Sequence, residues 1–217
     1  MKRLILALLL ISLPLLGYAN SESEHLEKAP INLQDRASLQ RGAQLFINNC
    51  LGCHSMKYLR YERMADDLKI PKKIVEDNMM FTADKIGEPM LSPLSKEQAA
   101  KWFGTAPPDL TLEARLRGAD WVYAYLTGFY ADNKRPWGVN NHVFPDVGMP
   151  NVLEKMEAQM GKDAFHKAVA DLTNFLEYAS EPVALKRQRM GVYVLIFLVI
   201  LFVPIYFLNK EYWKDIH

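Results

Sequence analysis

An uncharged run of 19 residues, Met190 to Leu208, constrains this chain more than any other feature. At a rise of about 1.5 Å per residue it reaches about 28 Å, the thickness of a bilayer's hydrocarbon core. A helix buried inside a soluble domain is rarely this long without a charge. Pro204 is tolerable in a membrane helix, and Tyr193, Tyr206, Tyr212 and Trp213 suit the two interfaces. The run predicts one transmembrane anchor over residues 186–209, followed by a short tail, residues 210–217.

The N-terminus has the layout of an export signal. Met1-Lys2-Arg3 is a short positive start, residues 4–16 are almost wholly apolar, and Gly17-Tyr18-Ala19 offers a small-residue cleavage site. A transit peptide would be amphipathic and rich in Arg and Ser, so the signal peptide, residues 1–19, reads as bacterial. Three basic residues precede the anchor (Lys186, Arg187, Arg189) and two follow it (Lys210, Lys214), which alone would favour the opposite orientation. Long domains translocate largely regardless of charge, so the export signal decides. The head, residues 20–185, is expected in the periplasm and the tail in the cytoplasm, with the anchor in the inner membrane.

The head carries 23 Asp and Glu against 19 Lys and Arg. That balance disfavours a nucleic-acid partner, which would call for a basic patch. Its length suits one domain with a real core. Apolar residues recur at helical spacing over residues 38–49, 57–68, 72–80, 120–127 and 163–180, and Ser95-Lys96-Glu97-Gln98 is a capping box opening a helix that Gly104 ends. Residues 129–150 hold three prolines and little period, and nothing alternates convincingly as a strand would. The prediction is an all-α head with long loops, which in a compact domain usually serve function.

Both cysteines of the chain lie in Asn49-Cys50-Leu51-Gly52-Cys53-His54-Ser55. Scattered at random, the cysteines and histidines would produce Cys-x-x-Cys-His with a probability of roughly 2 in 10,000. A thioredoxin-like pair expects a preceding strand and βαβ units, which the pattern lacks. A zinc site needs two more ligands at metal spacing, but the other histidines are scattered and no cysteine remains. A disulfide across four residues closes a tiny loop and stabilises little. Covalent attachment of a c-type haem uses all three residues: the thiols add across the vinyl groups, and the next residue offers its imidazole to the iron.

An electron-transferring haem usually takes a second axial ligand, and a methionine raises its potential. Of ten methionines, Met1 leaves with the signal and Met190 lies in the anchor. Met156 and Met160 sit on an expected helix, where they would fill core gaps. Met56 and Met64 follow the motif too closely to reach the far face. Met149 stands out because the prolines and glycine of Phe144-Pro145-Asp146-Val147-Gly148-Met149-Pro150 hold the backbone away from helix and could hang a thioether over an iron, with His142 as its rival.

The chain resembles the cytochrome c1 family over nearly all of its mature length. The matching pieces are Cys50-x-x-Cys53-His54-Ser55-Met56, Ala106-Pro107-Pro108-Asp109-Leu110, Arg115-x-Arg117-Gly118, Tyr125-Leu126-Thr127-Gly128, Phe144-Pro145 with Met149-Pro150, and Arg187-x-Arg189-Met190-Gly191 before the anchor. Only the first is specific alone; their order and the C-terminal anchor make the likeness.

The resemblance implies a class I cytochrome c-like fold. Its first and last helices would cross where Gly42 and Phe46 meet Leu172, Phe175 and Leu176. It implies one haem c, with Met149 as the sixth ligand in preference to His142. Arg117 matches an arginine that pairs with a haem propionate, Pro108 a proline near the histidine face, and Phe144 an aromatic wall. Trp121 stands where the family often has Tyr, and the loop between Phe144-Pro145 and Met149 is shorter than in mitochondrial members.

The function implied is one-electron transfer from the Rieske iron-sulfur subunit to cytochrome c, beside cytochrome b in a ubiquinol:cytochrome c oxidoreductase, the complex being dimeric in the family's manner. Two other functions fit a tethered haem domain. One is a monohaem cytochrome serving another respiratory complex; the other is a haem-based ligand sensor with a weak sixth ligand.

Overall fold

The computed structural model describes residues 26–216; the expected signal peptide lies outside them. Helix α1 spans Arg36–Asn49. The Asp35 side chain caps it by accepting the Ser38 N–H at 3.0 Å. Leu39, Gly42, Ala43, Phe46 and Ile47 form its buried face at the expected three-and-four spacing. Farther along the chain come β1 (Met56–Arg60), α2 (Tyr61–Leu68), α3 (Lys72–Asn78), β2 (Pro89–Met90), α4 (Lys96–Phe103), α5 (Glu113–Arg117) and α6 (Ala119–Thr127). Then follow β3 (Phe129–Ala131), β4 (Val139–Asn141), α7 (Glu154–Met160), α8 (Lys162–Ser180) and α9 (Ala184–Tyr212).

The head is mostly helical, and its core forms where α1 crosses α8. A Cβ on Gly42 would lie 2.1 Å from the Asp171 carbonyl oxygen and 2.7 Å from the Phe175 Cβ, so only glycine lets the two backbones meet. Beside that contact the rings of Phe46 and Phe175 lie 5.9 Å apart, both wholly buried with Leu172. Each such side chain contributes roughly 1.5–3 kcal/mol of burial free energy. Buried Asn174, also on α8, accepts the Asn32 N–H at its Oδ1 and donates its Nδ2 to the Asn32 carbonyl and to Ser38 Oγ, tying the N-terminal segment across the crossing. The Arg41–Asp171 ion pair on the same crossing is half in water and adds little.

Two small antiparallel ribbons interrupt the helices, β1 with β2 and β3 with β4. The helix expected over 57–68 therefore begins only at Tyr61. Met56 and Leu59, the buried residues of β1, are three apart and read locally as a helix face. What makes the segment extended is distant: Asp109 Oδ2 accepts the Lys57 N–H at 2.9 Å, and β2 arrives from more than twenty-five residues downstream. The β3–β4 hairpin falls inside residues 129–150 and is too short to show alternation. Ser95 and Gly104 bound α4 as expected: the serine Oγ accepts the Gln98 N–H, and the glycine takes a positive φ of 79°. Met156 packs against the core, whereas Met160 is exposed and fills nothing.

Helix α9 is long and apolar enough to cross a membrane, and its apolar stretch is not buried by the head, although Ala184 at its start is. At about 43 Å it outruns the hydrocarbon core, so Lys186, Arg187 and Arg189 at one end and Lys210 at the other can stay in the interfaces. Glu181, in the joint before α9, receives Arg187 through both carboxylate oxygens and lies 3.4 Å from Arg115 of α5. These pairs link the start of α9 to α5, but, being as exposed as Arg41–Asp171, they add little.

Candidate functional site

Helix α1 ends in the cysteine motif. The Cys50 N–H still bonds the Phe46 carbonyl at 2.8 Å, and the Cys50 carbonyl then accepts both the Cys53 N–H (3.0 Å) and the His54 N–H (2.8 Å). This turn gathers two thiols and an imidazole at one helix end. Both thiols are unpaired; Cys50 is buried and Cys53 partly so. Burial pushes the Cys50 thiol up to about 12, reinforced by Cys53. Ser92 clasps the turn, donating its hydroxyl to the Gly52 carbonyl and its N–H to Ser55 Oγ.

His54 is buried, with its Nδ1 2.8 Å from the Pro108 carbonyl oxygen. A carbonyl only accepts, so Nδ1 carries the proton and the Nε2 lone pair is left for a metal. Burial lowers the imidazole pKa, opposed by the Pro108 hydrogen bond and by Glu113 and Asp109, which favours the neutral, ligating form. Ala106-Pro107-Pro108 supplies that carbonyl because consecutive prolines hold an extended chain. The segment is anchored by the Leu110 N–H on the Ser55 carbonyl and by Asp109, which accepts from Lys57 and Thr111. The contribution of Pro108 thus runs through its carbonyl.

Met149 meets a different framework. The Tyr125 hydroxyl donates to its Sδ at 3.4 Å. Burial raises the Tyr125 phenol to about 12, keeping it a donor. The loop before Met149 hangs on side chains: Asn141 Oδ1 accepts from Val143 and Phe144, and Asn140 Oδ1 accepts from Asp146. Arg135 bridges the Asp146 side chain and the Asp146 and Val147 carbonyls. These contacts hold Asp146 at a positive φ of 63°. The rival His142 is exposed and stacks on Tyr130, ring centroids 4.4 Å apart.

Arg117, Trp121 and Phe144 come together beside these groups. The Arg117 guanidinium lies 4.3 Å from the Trp121 ring centroid and 5.8 Å from that of Phe144, while its Nε donates to Glu113 at 2.9 Å. Trp121 stacks on Tyr125 at 5.1 Å and 11°, and Phe144 presents itself edge-on to Trp121. Residues 106–128 form one continuous run that carries the His54 partner at its start and the Met149 partner near its end. Gly118, at φ 91°, makes the bend between α5 and α6 within it.

Two unpaired thiols, an imidazole with its Nδ1 committed, a thioether and an aromatic wall fit a covalently held haem. Arg135, Asn140 and Asn141 were not singled out in the sequence, and Tyr125 was named only within the matching piece Tyr125-Leu126-Thr127-Gly128, with no role attached to it.

Fold and site together define a membrane-anchored cytochrome of the c type. The model of the Cytochrome C1 family matches residues 26–216, and the chain belongs to that family. It is 44% identical over an alignment of 244 residues to cytochrome c1 of Allochromatium vinosum, covering 100% of both chains. It is 38% identical over 233 residues to the ammonia monooxygenase gamma subunit of Nitrosomonas europaea, covering 100% of this chain and 98% of that one. A mitochondrial cytochrome c1 of Arabidopsis thaliana is 31% identical over 195 residues, 72% of this chain and 60% of the plant protein. Members of the family carry one covalently bound haem c and act as electron-carrying subunits of the cytochrome bc1 complex, alongside cytochrome b and the Rieske protein.

Proposed function

We propose that this chain accepts single electrons from the Rieske iron-sulfur protein and passes them to a cytochrome c, with Cys50 and Cys53 as thioether attachments and His54 and Met149 as axial ligands. The observation that carries this reading is the run 106–128, which positions both axial groups through Pro108 and Tyr125. A haem with both axial positions filled supplies reversible one-electron chemistry and no open position for a substrate. His54 is held in the tautomer that can ligate, and the Met149 loop is fixed by Asn140, Asn141 and Arg135. Arg117 is the propionate partner, an assignment suited to its fork of donors. Trp121 lines that side, with the exposed Phe144 ring at its rim. The head, residues 20–185, faces the periplasm, the anchor crosses the inner membrane, and the complex is a dimer.

Purification of the full chain in mild detergent tests this. Cytochrome b and the Rieske protein should accompany it, and haem should stay on its polypeptide through denaturing electrophoresis. Loss of all haem in the gel refutes the thioethers. The likeness to the Nitrosomonas protein favours a second reading, a tethered monohaem cytochrome of another redox complex. Covalent haem recovered without any b-type haem would decide for it.

A further inference from the structure

The Tyr125 hydroxyl points at one acceptor, Met149 Sδ, 3.4 Å away. Its ring has little freedom to turn elsewhere. Trp121 stacks on one face, Phe129 meets it at 5.3 Å and 72°, and Phe144 closes a third side at 6.5 Å. Asn141 fixes donor and acceptor together: its Nδ2 donates to the Tyr125 carbonyl at 2.7 Å, while its Oδ1 receives the amides that open the Met149 loop. The phenol is half-buried among aromatic rings, where a hydrogen bond is screened less than in water.

We propose that Tyr125 is a positioning residue that sets the haem potential: its hydroxyl orients the Met149 thioether and draws electron density from the sulfur, favouring the ferrous over the ferric state. The reason is charge. A thioether as a whole favours ferrous iron, but the σ donation within that bond serves ferric iron more, so an O–H that competes for the sulfur's electron pairs weakens that component and costs the ferric state more. Hydrogen bonding around a ligand is a recognised control of haem potential. This inference rests on Met149 being an axial ligand.

The test uses the full chain, matured with haem and purified with its partners. Tyr125→Phe keeps the ring and its stacking on Trp121 but deletes the donor. The haem should stay covalently bound, and at an ambient potential fixed at the unaltered protein's midpoint the ferrous-to-ferric ratio should fall by about threefold or more, within the reach of one ordinary hydrogen bond. The ferric sulfur-to-iron charge-transfer band should shift in parallel. An unchanged ratio and band overturn the proposal, as does a fall seen with Tyr125→Leu, which also removes the ring, but not with Tyr125→Phe. Met149→Leu separates the two readings. If that variant keeps the charge-transfer band, Met149 is not the ligand and the role of Tyr125 falls with it. If the band vanishes, the ligation stands and the Tyr125→Phe result alone judges the tyrosine; adding Tyr125→Phe to Met149→Leu should then change nothing further.

Discussion

Gly42→Ala will cost the head about 3 kcal/mol or more, at or beyond the upper end of ordinary overpacking. The added methyl would stand 2.1 Å from the Asp171 carbonyl oxygen and 2.7 Å from the Phe175 Cβ. The first obstacle is backbone of a 19-residue helix, so it cannot swing aside as a side-chain tip would. Relief requires α1 and α8 to move apart. That movement would open the Phe46–Phe175 contact and leave voids around Leu172 in a close-packed interior. In a chain of this size the loss corresponds to a fall in unfolding midpoint of roughly 6–12 °C. Thermal unfolding of the haem-loaded chain in detergent measures it. Arg41→Ala, which cuts the exposed Arg41–Asp171 pair on the same crossing, should change stability by less than about 1 kcal/mol. If the two variants melt together, the helices do not approach as closely as described.

Met149→Leu will produce the largest change in redox behaviour while leaving the haem on its polypeptide. Leucine has nearly the same volume, so the loop held by Asn140, Asn141 and Arg135 should keep its path. The iron would lose its proposed sulfur ligand. Because a thioether favours the ferrous state, the ferrous-to-ferric ratio at a fixed potential should drop by about a hundredfold or more, and carbon monoxide should bind the vacated position. Potentiometric titration and a carbon monoxide difference spectrum report the two effects. An unchanged potential would return the assignment to His142, although that ring is exposed and stacked on Tyr130.

Several parts of this molecule were legible along the chain because their causes are local. The apolar run at 190–208 lies inside α9, a helix long enough to span a bilayer, since composition alone decides whether a segment prefers lipid. Helices α1, α4, α6 and α8 begin and end within a residue or two of expectation, because caps and prolines act on their immediate neighbours. The motif at Cys50, Cys53 and His54 is equally local: its backbone forms one hydrogen-bonded turn directly after α1.

What the sequence by itself determined, then, is an anchored, mostly helical head with the Cys50-Leu51-Gly52-Cys53-His54 motif at the end of its first helix. Only the tertiary structure decided the rest of the site. Met56–Arg60 is a strand although its apolar spacing reads as helix, because Pro89–Met90 and Asp109 supply partners from far along the chain. Pro108 matters through a carbonyl, which every residue possesses and no pattern reveals. Tyr125 meets Met149 across 24 positions, and Asn140, Asn141 and Arg135 hold the intervening loop by side-chain hydrogen bonds that leave no periodic trace. Periodicity and capping record what a residue does to its neighbours in sequence; the surroundings of His54 and Met149 are built from neighbours in space, which no local pattern records.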